Sequence, residues 1–141
     1  MDQLELSIQA DNANGPMVRA AARDWLRASG VARDALEDVL LVLSELFSNA
    51  VNASRGDDDV LVHLAASADR EIRVAVTNTG LAFDLDRVPA PTLDRRGGRG
   101  LAIARAIGLV DVRHRGGRTT VAVDIAVETA SEIANKDNGS R

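Results

Sequence analysis

The amino-acid sequence predicts an α+β fold, a two-layer sandwich with helices on one face of a mixed, mostly antiparallel sheet. Three observations lead there. Short runs with an apolar residue at every second position are interleaved with stretches of helical period, in the order strand, helix, helix, strand, strand, loop, helix, strand, strand. That order departs from the strict alternation that builds a parallel βαβ sheet. Two joints between strands, Asp69-Arg70 and Gly116-Gly117, are short enough for hairpins, which make neighbouring strands antiparallel. The hydrophobic fraction of 45% over 141 residues is enough for the core of one domain.

Each element follows from its local pattern. Leu4, Leu6 and Ile8 alternate with Glu5, Ser7 and Gln9 as a half-buried strand, broken by Asn12 to Gly15. Pro16 suits the first turn of a helix, and Val18, Ala21, Ala22, Trp25 and Leu26 carry that helix to about Ala28, before Gly30 ends it. Arg19, Arg23 and Arg27 form a basic row on its surface, the pattern of a solvated face or of a partner contact. A longer helix spans about Ala32 to Ala53 with a core stripe of Leu36, Val39, Leu43, Leu46, Phe47 and Ala50. On its far side Glu45, Asn49 and Asn52 fall within ~60° of one another at about 100° per residue. Leu41 and Val42 flank that polar stripe, which predicts the wall of a pocket and not an open surface.

Strands about Val60 to Ala66 and Ile72 to Thr77 follow, and Gly80 closes the second. Residues 81–98 hold Pro89 and Pro91 and little periodicity, the character of a lid or binding loop. Gly97-Gly98-Arg99-Gly100 opens a short helix over Leu101 to Ile107, and strands at about Val110 to Arg115 and Thr119 to Val127 complete the sheet. Residues 1–127 form one domain in this scheme, and the polar stretch 128–141 is expected to be a disordered tail.

Composition removes several classes of function. The chain has no cysteine, which excludes disulfides and thiolate metal sites, and its two histidines, His63 and His114, make a histidine metal cluster a poor fit. A net charge of −4 argues against a nucleic-acid backbone as partner. Aromatic residues are 2% of the chain, so the core is expected to rest on Val, Leu, Ile and Ala. No basic leader and no apolar run of membrane-spanning length is visible, so a soluble, cytoplasmic protein is expected.

Three constellations could carry chemistry. The first is Glu45 with Asn49, a carboxylate and a carboxamide four residues apart and so on one helical face, within ~6 Å at Cβ. Such a pair fits the wet side of a helix; it also fits a site for Mg²⁺, which takes oxygen ligands and keeps waters and substrate phosphates. The second is Thr77-Asn78-Thr79-Gly80 at a strand end, where Asn78 shares the inward parity of Ile72, Val74 and Val76. An Asn before a turn glycine is commonly structural, but an inward carboxamide can also read the edge of a base. The third is Arg95-Arg96-Gly97-Gly98-Arg99-Gly100-Leu101. Its glycines and free helix amides suit a phosphate, and the arginines could add charge-assisted contacts. It is neither a Walker loop nor a Rossmann turn, because it lacks Gly-Lys-Ser/Thr and follows no βαβ strand.

Taken together, the run Ser44-Glu45-Leu46-Phe47-Ser48-Asn49-Ala50-Val51-Asn52-Ala53, the strand-Asn-x-Gly box, Gly98-Arg99-Gly100-Leu101-Ala102-Ile103 and the Thr119-Thr120-Val121 hairpin resemble the GHKL ATPase superfamily. Within it the chain is similar to the small bacterial anti-sigma factors that are also serine kinases, over roughly residues 4–126. The resemblance implies the Bergerat ATP-binding fold, with ATP and Mg²⁺ as cofactors. It implies Glu45 as the catalytic carboxylate and Asn49 as the Mg²⁺ ligand and a nucleotide contact. It also implies Asn78 and Gly80 at the base-binding box, Arg96, Gly98, Arg99, Gly100 and Leu101 around the phosphates, and Thr119 near the adenine. The parity of Thr119 with Val121, Val123 and Ile125 independently aims it inward.

One position departs from the pattern. The family carries Asp where this chain has Asn78, and that Asp accepts a hydrogen bond from the adenine N6 amine. Two functions therefore follow from the resemblance. One is an anti-sigma regulatory factor that binds ATP/Mg²⁺ and phosphorylates a serine of an anti-anti-sigma (STAS) partner, controlling a sigma factor by partner switching. The other is a degenerate GHKL module that binds protein partners, with or without ATP, and transfers nothing. The resemblance places partner contacts near the Arg19/Arg23/Arg27 helix and the lid, and family members commonly form homodimers.

Overall fold

The computed structural model describes residues 3–54, 58–68, 70–78 and 108–127. They form five strands and two helices: β1 (Gln3–Gln9), α1 (Gly15–Ala28), α2 (Arg33–Ala53), β2 (Asp59–Ala68), β3 (Glu71–Asn78), β4 (Gly108–Arg115) and β5 (Arg118–Ala126). The strands make one sheet in the order β1-β2-β3-β5-β4, and all four pairings are antiparallel. Both helices lie on one face, α2 across β3 with contacts to β2 and β5, and α1 against α2 and β1. This is the two-layer α+β sandwich that the sequence predicts. The predicted lid over 81–98, the predicted helix from Leu101 and the stretch 128–141 lie outside the described residues.

Alternation decides which face of each strand meets the helices. In β3, Ile72, Val74, Val76 and Asn78 are buried while Glu71, Arg73, Ala75 and Thr77 are half-buried on the opposite face. In β2 the inward residues are Val60, Val62 and Leu64, and in β5 they are Thr119, Val123 and Ile125. From the helix layer Val18, Ala22 and Leu26 of α1 and Leu36, Val39, Leu43, Leu46 and Phe47 of α2 meet them in one continuous core. Apart from Trp25 and Phe47 that core is aliphatic, as the composition requires. On the open face Arg73 and Asp124 clasp across β3 and β5 in two bonds of 2.9 Å each. The Asp124 carboxylate raises the Arg73 pKa above its already high value, so this guanidinium stays charged at every pH the fold survives.

Two backbone devices set the ends of these elements. Gly30, at φ 79°, terminates α1 in the left-handed region that a residue without Cβ enters freely. Gly116 and Gly117, at φ 57° and 76°, make the two-residue turn between β4 and β5, whose hand matches strand twist. An added Cβ at Gly117 would touch nothing within 4 Å, so a substitution there probes backbone conformation alone. Gly117→Val should cost about 1–2 kcal/mol, and Gly117→Asn much less, because Asn tolerates the left-handed region. Urea unfolding midpoints of the two variants check this, and equal midpoints would contradict it.

Two features of α2 depart from the expectation. Leu40 and Val42 are buried (3% and 0% exposed) although neither belongs to the expected core stripe. The helix is covered on two sides, by the sheet and by α1, so its apolar face is broader than one stripe. Leu41, expected to flank a pocket wall, is instead 43% exposed. One flank of the polar stripe thus meets water and the other the core.

Candidate functional site

A shallow cleft, with a cavity volume of about 10 Å³, opens at the C-terminal end of α2, where the helix passes over the ends of β3 and β5. Its lining is Leu46, Asn49, Ala50 and Ala53 from α2, Val76 and Asn78 from β3, and Val121 from β5. The helical members have the spacing i, i+3, i+4, i+7, a single face of an α-helix. Small residues at Ala50 and Ala53 let the helix surface recede there, and the inward aliphatics Val76 and Val121 make an apolar floor. Asn49 and Asn78 are the two polar residues of this lining.

Asn78 is 4% exposed, and its Nδ2 is a buried donor without a hydrogen-bond partner among the described residues. An unmet buried amide donor costs about 1–3 kcal/mol, so a ligand that supplies an acceptor there gains that much over one that does not. Asn78 is placed by the pairing of β3 with β5, whose register sets it opposite Thr119. Thr119 is 1% exposed, and its Oγ1 lies 3.0 Å from His114 Nδ1 on β4. Asn78, Thr119 and His114 therefore stand in one row across three strands. His114 is the neighbour that the constellations above leave out. The hairpin carries the signal for it: counting outward from Gly116-Gly117 pairs Arg115 with Arg118 and His114 with Thr119.

Glu45 lies one helical turn before Asn49, is half-buried, and does not line the cleft. At about 100° per residue it stands farther round the helix than Asn49, toward the side where Leu41 and Asn52 face water. Asn52 is exposed and takes no part in the lining, so the polar stripe splits: Asn49 faces the cleft, Glu45 its rim, Asn52 solvent. The structure thus brings Asn49 and Asn78 to one cleft and Thr119 beside it, with Glu45 at the border. Gly80, Arg95, Arg96, Gly98, Arg99, Gly100 and Leu101 lie outside the described residues.

The donor set suits oxygen-loving ligands. The Asn49 carboxamide oxygen suits Mg²⁺, which takes oxygen ligands and keeps several waters and substrate phosphates. No cluster of three or more His, Asp or Glu able to hold a metal by itself occurs among the described residues. No described helix is long and apolar enough to cross a membrane.

Residues 8–125 match the model of the histidine kinase-like ATPase domain. The chain belongs to the histidine kinase-like ATPase family.

Solved structures of similar fold agree with that membership. The RsbU and RsbW domains of a Mycobacterium tuberculosis protein match 90% of this chain at TM-score 0.70 and 24% identity. This chain spans 33% of that longer one. The SiaB–SiaC complex from Pseudomonas aeruginosa matches at TM-score 0.60 and 18% identity, over 89% of each chain. Full-length ShkA, solved in complex with AMPPNP, matches 88% of this chain at TM-score 0.56 and 20% identity, and this chain spans 32% of it. The family is one of ATPase domains, and the histidine kinase-like ATPase fold is what these neighbours share with this chain.

Proposed function

We propose that this histidine kinase-like ATPase domain is an ATP-dependent serine kinase of the anti-sigma type, acting by partner switching. The observation that carries the reading is the apolar-floored cleft lined by Asn49 and by buried Asn78, whose Nδ2 has no partner among the described residues. The lining has the chemistry that a purine needs, apolar contact for its faces and hydrogen bonds for its edge. Asn49, toward the rim, would hold Mg²⁺, whose chemistry when bound is to draw phosphate oxygens together and neutralise their charge. Glu45, one turn away at the border of the cleft, would take the proton of an incoming serine hydroxyl. Thr119 would stand near the base, and Gly80, Arg96, Gly98, Arg99, Gly100 and Leu101 would supply the remaining nucleotide contacts.

The partner in this account is a STAS-type anti-anti-sigma protein that offers the serine, with a sigma factor as the alternative partner. The P. aeruginosa neighbour, solved as a SiaB–SiaC complex, supports partner binding by a domain of this fold. The basic row of α1 is a candidate contact surface, with Arg27 exposed and Arg19 and Arg23 half-buried. Arg23 leans toward Glu37 at 3.9 Å, which leaves Arg27 the freest of the three for an acidic partner.

The test is incubation with a serine-bearing STAS partner and ATP, with phosphoserine read by mass spectrometry. Transfer that needs Mg²⁺ and stops on chelation supports the kinase. A second reading, the degenerate module, is favoured by Asn78 in the place of an Asp. Formation of the partner complex with no phosphoserine in the presence of Mg²⁺ and ATP would select it.

A further inference from the structure

The β3–β5 ladder carries the floor of the cleft, and the two strands are fastened unevenly along their length. On the helix side the rungs Ile72↔Ile125, Val74↔Val123 and Val76↔Val121 are aliphatic and sit in the core or against it. Asn78↔Thr119 is the last rung of the described ladder and the first on that side made of polar residues. Burial of apolar surface fastens the earlier rungs and fastens this one less. The Asn78 Nδ2 adds no tie to a neighbour, having no partner among the described residues. On the β5 side, Thr119 is tied toward β4 through His114 Nδ1 at 3.0 Å. Strand ends open where few contacts hold them, so the β3 side of this rung is the one in need of a tie.

The opposite face of the sheet supplies it. One residue before Asn78, the Thr77 hydroxyl meets the Thr120 hydroxyl at 2.7 Å, directly across the same two strands. Both side chains are half-buried, and Thr–Thr hydrogen bonds across a sheet are stabilising pairs. The clasp of Arg73 on Asp124 also joins β3 to β5, but it lies four positions back along β3. Thr77–Thr120 is thus the tie nearer the cleft, and strand parity turns both hydroxyls away from it.

We infer that Thr77 and Thr120 are positioning residues for the site: their bond closes the last rung and so sets Asn78 at the cleft before a nucleotide arrives. The inference rests on the proposed nucleotide site and adds to it two residues that act through the backbone alone. A nucleotide that needs the rung closed binds with an affinity scaled by the fraction of time that it is closed. Loss of one net hydrogen bond lowers that fraction by up to about fivefold.

The test combines calorimetric titration of ATP with Mg²⁺, urea unfolding, and amide hydrogen exchange read by NMR at Asn78 and Thr119, all in the whole chain. Thr77→Val keeps the β-branched shape and the strand preference and removes the hydroxyl. It should bind ATP about fivefold more weakly and exchange the rung amides about fivefold faster, with a urea midpoint no lower than that of the unaltered protein. Thr77→Ser keeps the hydroxyl and loses the branch, and should bind within about twofold of the unaltered protein. Thr77→Val combined with Thr120→Val should cost no more affinity than Thr77→Val alone, because the same single bond is lost. Thr77→Val binding ATP as tightly as the unaltered protein would overturn the inference and leave the nucleotide site standing. Thr77→Ser binding as weakly as Thr77→Val would overturn it too, since the effect would then belong to packing and not to the hydroxyl. Losses that multiply in the double variant would do the same, each hydroxyl then acting apart from the other. No ATP binding by the unaltered protein would remove the nucleotide site itself, and the inference with it; faster exchange in Thr77→Val would then report a tie of the sheet alone.

Discussion

Phosphoryl transfer to a STAS partner should fall by about a hundredfold or more in Glu45→Ala, with ATP affinity changed less than about threefold. The asymmetry follows from where the residue sits. Glu45 is half-buried at the border of the cleft and contributes nothing to its lining, so a nucleotide bound in the cleft would lose no contact there when the carboxylate goes. On the proposed function, what is lost is the group that would take the serine proton as the hydroxyl attacks, an interaction made only in the transition state. Such a loss lowers turnover and leaves ground-state binding alone. Glu45→Gln keeps size and polarity but cannot accept the proton, and should behave as Glu45→Ala does. Single-turnover transfer measured beside ATP titration checks both. A variant that keeps transfer would remove Glu45 from the chemistry. One that loses ATP binding would make it a nucleotide ligand instead.

The second large effect is on stability. Leu43→Ala should destabilise the fold by about 3 kcal/mol, within the usual range of about 2–5 for a buried leucine. Leu43 is fully buried, in the layer where α2 lies on the sheet, and close-packed neighbours there relax only in part around a missing side chain. For a chain of this size the loss corresponds to a drop of about 10 °C in the melting temperature. Leu41→Ala, two positions away on the same helix, should change stability by about 0.5 kcal/mol or less, because Leu41 is 43% exposed. Thermal and urea unfolding of the pair test the orientation of α2 directly. Similar losses for both would mean that the helix presents a different face to the sheet.

Much of this architecture is legible in the amino-acid sequence because its signals are local. Period-two runs place β1, β2, β3 and β5 to within two residues of their observed ends, and Gly30 and Gly116-Gly117 mark turns that positive φ requires. The burial of Asn78 and Thr119 follows from strand parity alone, since each continues an aliphatic row. The juxtaposition of the two is another matter. β3 and β5 are neighbours although β4 lies between them in the sequence, β4 pairing on the far side of β5, and no local pattern announces that order. The cleft has the same non-local origin. Its wall on α2 is set by how the helix is rolled on the sheet, which depends on packing against α1 as well. Hence Leu41, Val42 and Asn52 are misjudged from helical angles, while Leu46, Asn49 and Ala50 fall where a single face would carry them.

On the proposed function, the cleft between α2 and the ends of β3 and β5 holds a nucleotide through Asn49. The most direct test is calorimetric titration of ATP with Mg²⁺ into the unaltered chain and into Asn49→Ala. Binding should be micromolar in the first and at least about tenfold weaker in the second, the loss of one metal-bridged contact. Absence of heat at millimolar ATP, or equal affinity in the two proteins, would contradict it.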